Sequence, residues 1–323
     1  MTVVHSTLVV AVGMRTRFRG VTTREAMLFR GESGWGEWSP FLEYADEECV
    51  PWLRAAREAA DVGWPDPVRD RVPVNVTVPA VDPVTAQRLV RMSNGCTTAK
   101  VKVAEPGQSE AEDLLRVAAV RDSLGPDGRI RVDANGAWDV DTALRRIKAL
   151  DTEAGGLEYV EQPCATVEEL ADVRRHANVS VAADESIRRS DDPMRVVQAR
   201  AADVLVLKVQ PLGGVRACLD LAERCGLPVV VSSALETSVG IAAGVALAAA
   251  LPELPYACGL ATVQLLERDV TSRPLLPVEG HIQVRRVEAD RPAGADTSRA
   301  RWWQERLGRT LDAAALLDGS SDL

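Results

Sequence analysis

From about residue 72 to residue 258, eight short apolar runs rich in β-branched residues alternate with seven amphipathic stretches of helical length. The runs fall at 72–78, 98–103, 130–133, 157–161, 179–183, 204–208, 228–232 and 256–258. Helical patterns lie between them near 83–93, 109–124, 140–150, 166–176, 191–199, 213–225 and 238–251. Strands joined by helical crossovers run parallel, and these are apolar on both faces, as buried parallel strands are. Eight units in about 190 residues fit a closed α/β barrel of the (β/α)8 TIM type, possibly with a modified last unit. An open doubly wound sheet is the alternative, but no glycine-rich dinucleotide turn follows an early strand. Ser109 with Glu112 predicts a capping box, and Asp191 an N-cap with Pro193 just inside the helix.

The flanks read differently. In residues 1–72, two strands (3–12 and 25–30), a turn at 31–36 and a helix at 46–60 predict an α+β capping domain. The barrel then spans 73–271. Residues 272–323 carry a short strand (281–287) and a helix near 301–317, expected to pack on the capping domain, with Trp302 and Trp303 as packing residues.

Composition narrows the function. With 38 basic against 47 acidic residues the net charge is −9, the opposite of a nucleic-acid or anionic-membrane footprint. No apolar run reaches the roughly 20 residues of a membrane helix; the nearest, 241–251, stops at Pro252. No signal peptide is evident, and six cysteines without a C-x-x-C pair read as reduced thiols, so the cytoplasm is the expected compartment. Three scattered histidines argue against His-based zinc chemistry.

Only four of the 38 basic residues are lysines: Lys100, Lys102, Lys148 and Lys208. Arginine serves elsewhere as the solvated cation, but it cannot deprotonate near neutral pH, whereas lysine can be tuned to do so. Lys148 reads as a solvated helix residue. The other three sit on strands whose ends carry charge: Arg131, Asp133 and Asn135 on the third, Glu161 on the fourth, Asp184 on the fifth, and Ser232 and Ser233 on the seventh. Each acid alone could be a helix cap. Three at the same end of adjacent strands, about 4.8 Å apart, converge and need a cation to stay ionised. Carboxylate-only ligands favour Mg²⁺, with Mn²⁺ possible. Lys100 and Lys102 share a face, and Lys100 is expected to depress the pKa of Lys102 as a like charge, as a general base requires. Lys208 faces them across the barrel mouth, unless it simply pairs with Asp184 or Glu161. A metal flanked by two lysines suggests proton removal α to a metal-bound carboxylate.

These residues stand in the stretches KVKVAE, RVDANGAW, YVEQP, AADES and VLKVQPLGG, preceded by GWGE at 34–37. In that order they resemble the enolase superfamily, specifically its muconate-lactonizing subgroup, over nearly the whole chain. Within it, RTRFRG at 15–20, GWGEWSPF at 34–41, SSALE at 232–236 and CGL at 258–260 are most similar to the o-succinylbenzoate synthase family, in its actinobacterial branch. Dipeptide epimerases of the subgroup carry D-x-D on strand eight, which is absent here.

The resemblance implies a Mg²⁺-dependent hydro-lyase of menaquinone biosynthesis. It would dehydrate 2-succinyl-6-hydroxy-2,4-cyclohexadiene-1-carboxylate, a small dicarboxylate, to 2-succinylbenzoate through an enediolate, a pattern already known for enolase-type enzymes. Lys102 would act as base and then acid, Lys208 would stabilise the enediolate from the opposite face, and Asp133, Glu161 and Asp184 would hold the metal. Gly259 and Leu260 would frame the pocket. Arg15, Arg17 and Arg19 either form a solvated edge or close over the dianion. The rival readings are an N-acylamino-acid racemase or related epimerase, using both lysines as bases, and a non-catalytic metal-binding barrel.

Overall fold

The computed structural model describes residues 6–18, 20–189, 192–292 and 294–319. Arg19 and Asp191 lie outside the described residues. The chain opens with an antiparallel meander of β1 (Ser6–Phe18), β2 (Val21–Gly31) and β3 (Gly34–Trp38). The third strand was not expected: the glycines of Gly34–Trp38 suggest a turn, yet the stretch pairs with β2 from Gly34 to Trp38. A Cβ at Gly36 would sit 2.0 Å from the Ala56 carbonyl oxygen, so glycine is what lets α1 (Val50–Arg57) lie against this strand. A π-helical turn at Glu58–Val62 ends α1.

The expected first barrel strand is two short ones. β4 (Arg71–Pro73) pairs antiparallel with a late strand at His281–Gln283, and β5 (Val76–Val78) starts the parallel sheet. Pro73 lacks an N–H and breaks the run. There follow α2 (Pro83–Arg91), β6 (Thr98–Lys102), α3 (Glu110–Leu124), β7 (Arg129–Asp133), α4 (Val140–Ala154), β8 (Leu157–Glu161), α5 (Val167–His176) and β9 (Val181–Ala183). The capping box at Ser109 is formed. After β9 come a short α6 (Glu185–Arg188) that the sequence reading missed and α7 (Met194–Gln198), at whose N-cap Pro193 stands rather than inside it. β10 (Val204–Leu207), α8 (Val215–Cys225), β11 (Val229–Val231) and α9 (Ser238–Ala250) complete seven parallel strands in the order β5 to β11.

The curled sheet closes through an eighth strand reduced to two residues. Cys258 bridges Val74 and Gly259 bridges Ser232, both in parallel, with Asn75 donating to the Cys258 carbonyl at 2.9 Å and Gly259 donating to Val231 at 2.8 Å. In place of an eighth helix stands a 3-10 turn, Ala261–Leu265. The (β/α)8-type barrel reading holds, with this last unit modified.

After β12 (His281–Gln283), α10 (Thr297–Gly319) returns to the meander. Trp303 is buried edge-on against Trp38, with ring centres 5.3 Å apart, and its indole donates to Glu25. Arg306 donates to the carbonyls of Phe41 and Tyr44 at 2.8 Å each. α9 is buried on every side, between β3, β11 and α8. This explains its apolar run; among the described residues no helix is long and apolar enough to cross a membrane. All six cysteines are unpaired and buried.

Candidate active site

Strand register sets the site. Lys102 on β6 is the register partner of Asp133 on β7, which partners Glu161 on β8. One layer deeper, Lys100 partners Arg131, and Arg131 partners Tyr159. Because alternate residues share a face, both layers point into the barrel. Asp184 follows β9, and Lys208 follows β10.

The acids and lysines are brought together at the C-terminal ends of the strands. Lys102 Nζ lies 2.5 Å from Asp133 Oδ2 and 2.7 Å from Asn135 Oδ1. Lys100 Nζ reaches up to Glu161 Oε1 at 2.6 Å and Asp133 Oδ2 at 2.9 Å. Lys208 Nζ donates to Asp184 Oδ2 at 2.6 Å, and Arg188 Nε to Asp184 Oδ1 at 2.9 Å. Lys208 is thus in an ion pair with Asp184, as the simpler reading of it held, and also lines the cavity beside Lys102.

Charge follows from burial and pairing. Burial works against Asp133 as an anion, but Lys100 and Lys102 outweigh it and hold the carboxyl well below its ordinary range. Asp184 is also held low: burial is overcome chiefly by Arg188 and Lys208. Glu161 goes the other way. Burial first, then Asp133, push it up to about 7, against the pull of Lys100. Lys100 stays charged: burial disfavours its ammonium, but Asp133 and Glu161 raise its pKa well above the ordinary value. Its charge is therefore offset by two carboxylates rather than presented bare to Lys102. Burial lowers Lys208, with Asp184 opposing.

Among the described residues no three acidic, histidine or cysteine side chains form a ready-made metal group, since each carboxylate here is turned to a lysine or arginine. The donor chemistry nonetheless fits a hard cation. Glu161 is fully buried and its Oε2 has no hydrogen-bond partner. A buried carboxylate oxygen left bare is costly unless a cation meets it.

A cavity of about 30 Å³ lies over the lysines, lined by Lys100, Lys102, Lys208, Asn135, Ser232, Ser233 and Gly259 together with Phe18, Phe41 and Thr77. Gly259 has no room for a side chain, since a Cβ would meet Ser232 Oγ at 2.6 Å. The Phe18 ring stands 5.6 Å from Lys102 Nζ. Outside Phe18 a second cavity of about 420 Å³ also reaches Lys102 and Asn135 and is lined by Arg17, Pro79 and Gln108.

Three expected contacts lie elsewhere. Leu260 is not on the chamber: it packs on α9, where a Cβ at Gly244 would meet its Cδ2 at 2.6 Å. Arg131 is sealed in the barrel one layer down, between Tyr159 and Tyr256, with its Nε 2.5 Å from Glu158. It shares the register layer of Lys100, but where Lys100 reaches up to Glu161 the guanidinium of Arg131 turns to Glu158, Asn75 and the Ala257 carbonyl. Arg15 ties β1 to the 3-10 turn, donating to the Leu266 carbonyl at 2.8 Å, so it is not grouped with Arg17, which lines the outer cavity.

Sequence reading missed Gln162, Phe18, Phe41 and Thr77. Gln162 has a left-handed backbone (φ 41°), and its side-chain oxygen accepts the Asp184 N–H at 3.0 Å. This fixes where Asp184 turns off its strand. The EQP stretch was visible, but nothing in it says that the glutamine reaches the next strand.

Residues 9–60 match the enolase N-terminal domain-like family and residues 84–291 the enolase C-terminal domain-like family. The chain is 68% identical over 299 residues to an o-succinylbenzoate synthase of Thermobifida fusca, covering 92% of this chain and 93% of the relative. The chain belongs to the o-succinylbenzoate synthase family of the enolase superfamily. A second member of this family, from Mycobacterium ulcerans, is 54% identical over 304 residues, covering 93% and 91% of the two chains. In fold the chain is similar to the L-Ala-D/L-Glu epimerase of Bacillus subtilis (TM-score 0.76, 23% identity, covering 91% of this chain and 98% of the other). The muconate lactonizing enzyme of Pseudomonas fluorescens is comparable (TM-score 0.74, 21% identity, covering 95% and 98%).

Proposed function

We propose that this member of the o-succinylbenzoate synthase family dehydrates 2-succinyl-6-hydroxy-2,4-cyclohexadiene-1-carboxylate to 2-succinylbenzoate at the chamber between Lys102 and Lys208. The observation that carries the site assignment is that these two lysines line one cavity with three acids gathered behind them. Asp133, Glu161 and Asp184 would hold Mg²⁺ or Mn²⁺, with the bare Glu161 Oε2 as the free ligand atom. The cation supplies positive charge to the substrate carboxylate next to the carbon that loses its proton.

The chain does the rest. Lys102 takes the α-proton: the C–H bond breaks, its electrons form the ring double bond, and the C–O bond breaks as the same amine returns the proton to the departing hydroxyl. Water leaves, and no other reactant is needed. Asn135 orients Lys102 through its side-chain oxygen at 2.7 Å. Lys208, held by Asp184, presents a cation to the negative charge that develops. A chamber of about 30 Å³, the space of one water, must enlarge to take the ring. Phe18 lines both the chamber and the larger outer cavity, together with Lys102 and Asn135, so the chamber would enlarge toward that cavity.

The test is a dehydration assay with N-acylamino-acid racemisation run in parallel. Dehydration that needs Mg²⁺ and Lys102 supports the reading. Racemisation without dehydration overturns it in favour of the racemase.

A further inference from the structure

We infer that Arg24, a capping-sheet residue remote from the lysines in sequence, is a positioning residue that builds the apolar wall of the chamber. Arg24 is buried on β2 and enters the barrel mouth. Its Nε donates to the Leu235 carbonyl at 3.2 Å, and its Nη2 donates to the Ala234 carbonyl at 3.2 Å and to the Ser39 carbonyl. Its guanidinium lies 4.7 Å from the centre of the Phe41 ring. Ala234, Leu235 and Phe41 are three of the chamber's lining residues, so one side chain holds all three.

Leu235 shows why such a clamp is needed. Its φ is +65°, in the left-handed region that a leucine adopts only when its surroundings impose it. Glu236 grips the same turn from the other side, accepting the Ala234 N–H at 2.6 Å. Glu37 and Glu236 are the buried acids facing the guanidinium. The planar fork donates from two separate nitrogens to carbonyls on two segments, and the single ammonium nitrogen of a lysine does not match that spread. Without Arg24, buried carbonyls lose their donors and Leu235 is free to leave the left-handed region. The wall is apolar, so it faces the ring of the substrate rather than its carboxylates. The inference rests on the chamber being the site of dehydration.

The test is a double-mutant cycle on the full-length protein with Mg²⁺. Arg24→Met is expected to raise KM at least tenfold while kcat falls less than threefold. In a Leu235→Gly background, where the backbone needs no clamp, the same change should raise KM less than threefold. Melting midpoints should show matching non-additivity. Arg24→Lys, which keeps the charge but not the fork, should behave like Arg24→Met and serves if that variant does not fold. Equal effects of Arg24 substitution in both backgrounds, on KM and midpoint alike, overturn the inference. Full dehydration by Lys102→Ala would instead overturn the site reading, while leaving the coupling in the melting midpoint to stand.

Discussion

Lys102 and Asp133 face each other across neighbouring strands, partners in register with 2.5 Å between Nζ and Oδ2. The proposed base and a proposed metal ligand are thus one electrostatic unit.

Lys102→Ala should lower dehydration by at least about 10²-fold, because general acid–base catalysis is typically worth ~10²–10⁴ and here serves two transfers. Lys208→Arg keeps a cation that cannot deprotonate. It should retain measurable dehydration and lose any racemisation that needs a second base. Racemisation surviving in Lys208→Arg while dehydration disappears would reverse the roles.

Metal dependence is read without turnover by thermal melting. Mg²⁺ at 100 times its Kd should stabilise the wild type by about 2.7 kcal/mol. Glu161→Gln and Asp184→Asn should respond far less, and EDTA should abolish activity. An unchanged Mg²⁺ shift in Asp184→Asn would remove that residue from the ligand set.

Leu260→Asp is expected to act on stability. Leu260 is buried against Gly244 of α9, and a carboxylate there loses packing and lacks a partner. A loss of about 3–5 kcal/mol in denaturant unfolding is expected. Gly259→Ala should instead lower kcat/KM, because its Cβ pushes on Ser232 in the chamber. A fully stable Leu260→Asp with raised KM would put Leu260 back at the substrate.

Glu37 ties the meander to the first turn of α9, accepting the N–H groups of Thr237 at 3.1 Å and Gly240 at 3.0 Å. Burial pushes its carboxyl from 4.5 up to about 7, against the Thr237 hydrogen bond, with Glu236 adding to the rise and Arg24 opposing it. The folded chain therefore holds a proton that the unfolded chain releases between those values. The contribution is full below pH 4.5 and is lost as pH rises through 7. Wild type should lose about 2–3 kcal/mol relative to Glu37→Gln between pH 4.5 and pH 8. Equal pH slopes in the two proteins would remove Glu37 as the cause.

The barrel and the proposed reacting groups were legible because both rest on local pattern. Parallel strands are apolar runs, and Lys100, Lys102, Asp133, Glu161 and Asp184 stand at the ends of such runs. The illegible parts depend on contacts between distant segments. Nothing local says that Leu260 turns outward while Gly259 turns in, or that Arg15 reaches Leu266. Arg131 shares its strand face with Asp133, and only its contacts with Glu158, Asn75 and the Ala257 carbonyl show that it turns away from the chamber. Phe18 and Phe41 enter the chamber from a part of the chain that periodicity assigns only to a flanking sheet.

The burial of α9 also bears on how the chain is made. Its cover, the meander ending at Trp38, leaves the ribosome about 200 residues before Ser238, or roughly 10–40 s earlier at 5–20 residues per second. Through that interval the face of β3 that will meet α9 waits uncovered. A nascent chain halted before residue 238 carries a meander covered by α1 but not by α9, and one halted before residue 297 still lacks the Trp303 and Arg306 contacts that lock it. Chaperone capture during synthesis should therefore concentrate on the first 40 residues and fall only once the last helix has emerged.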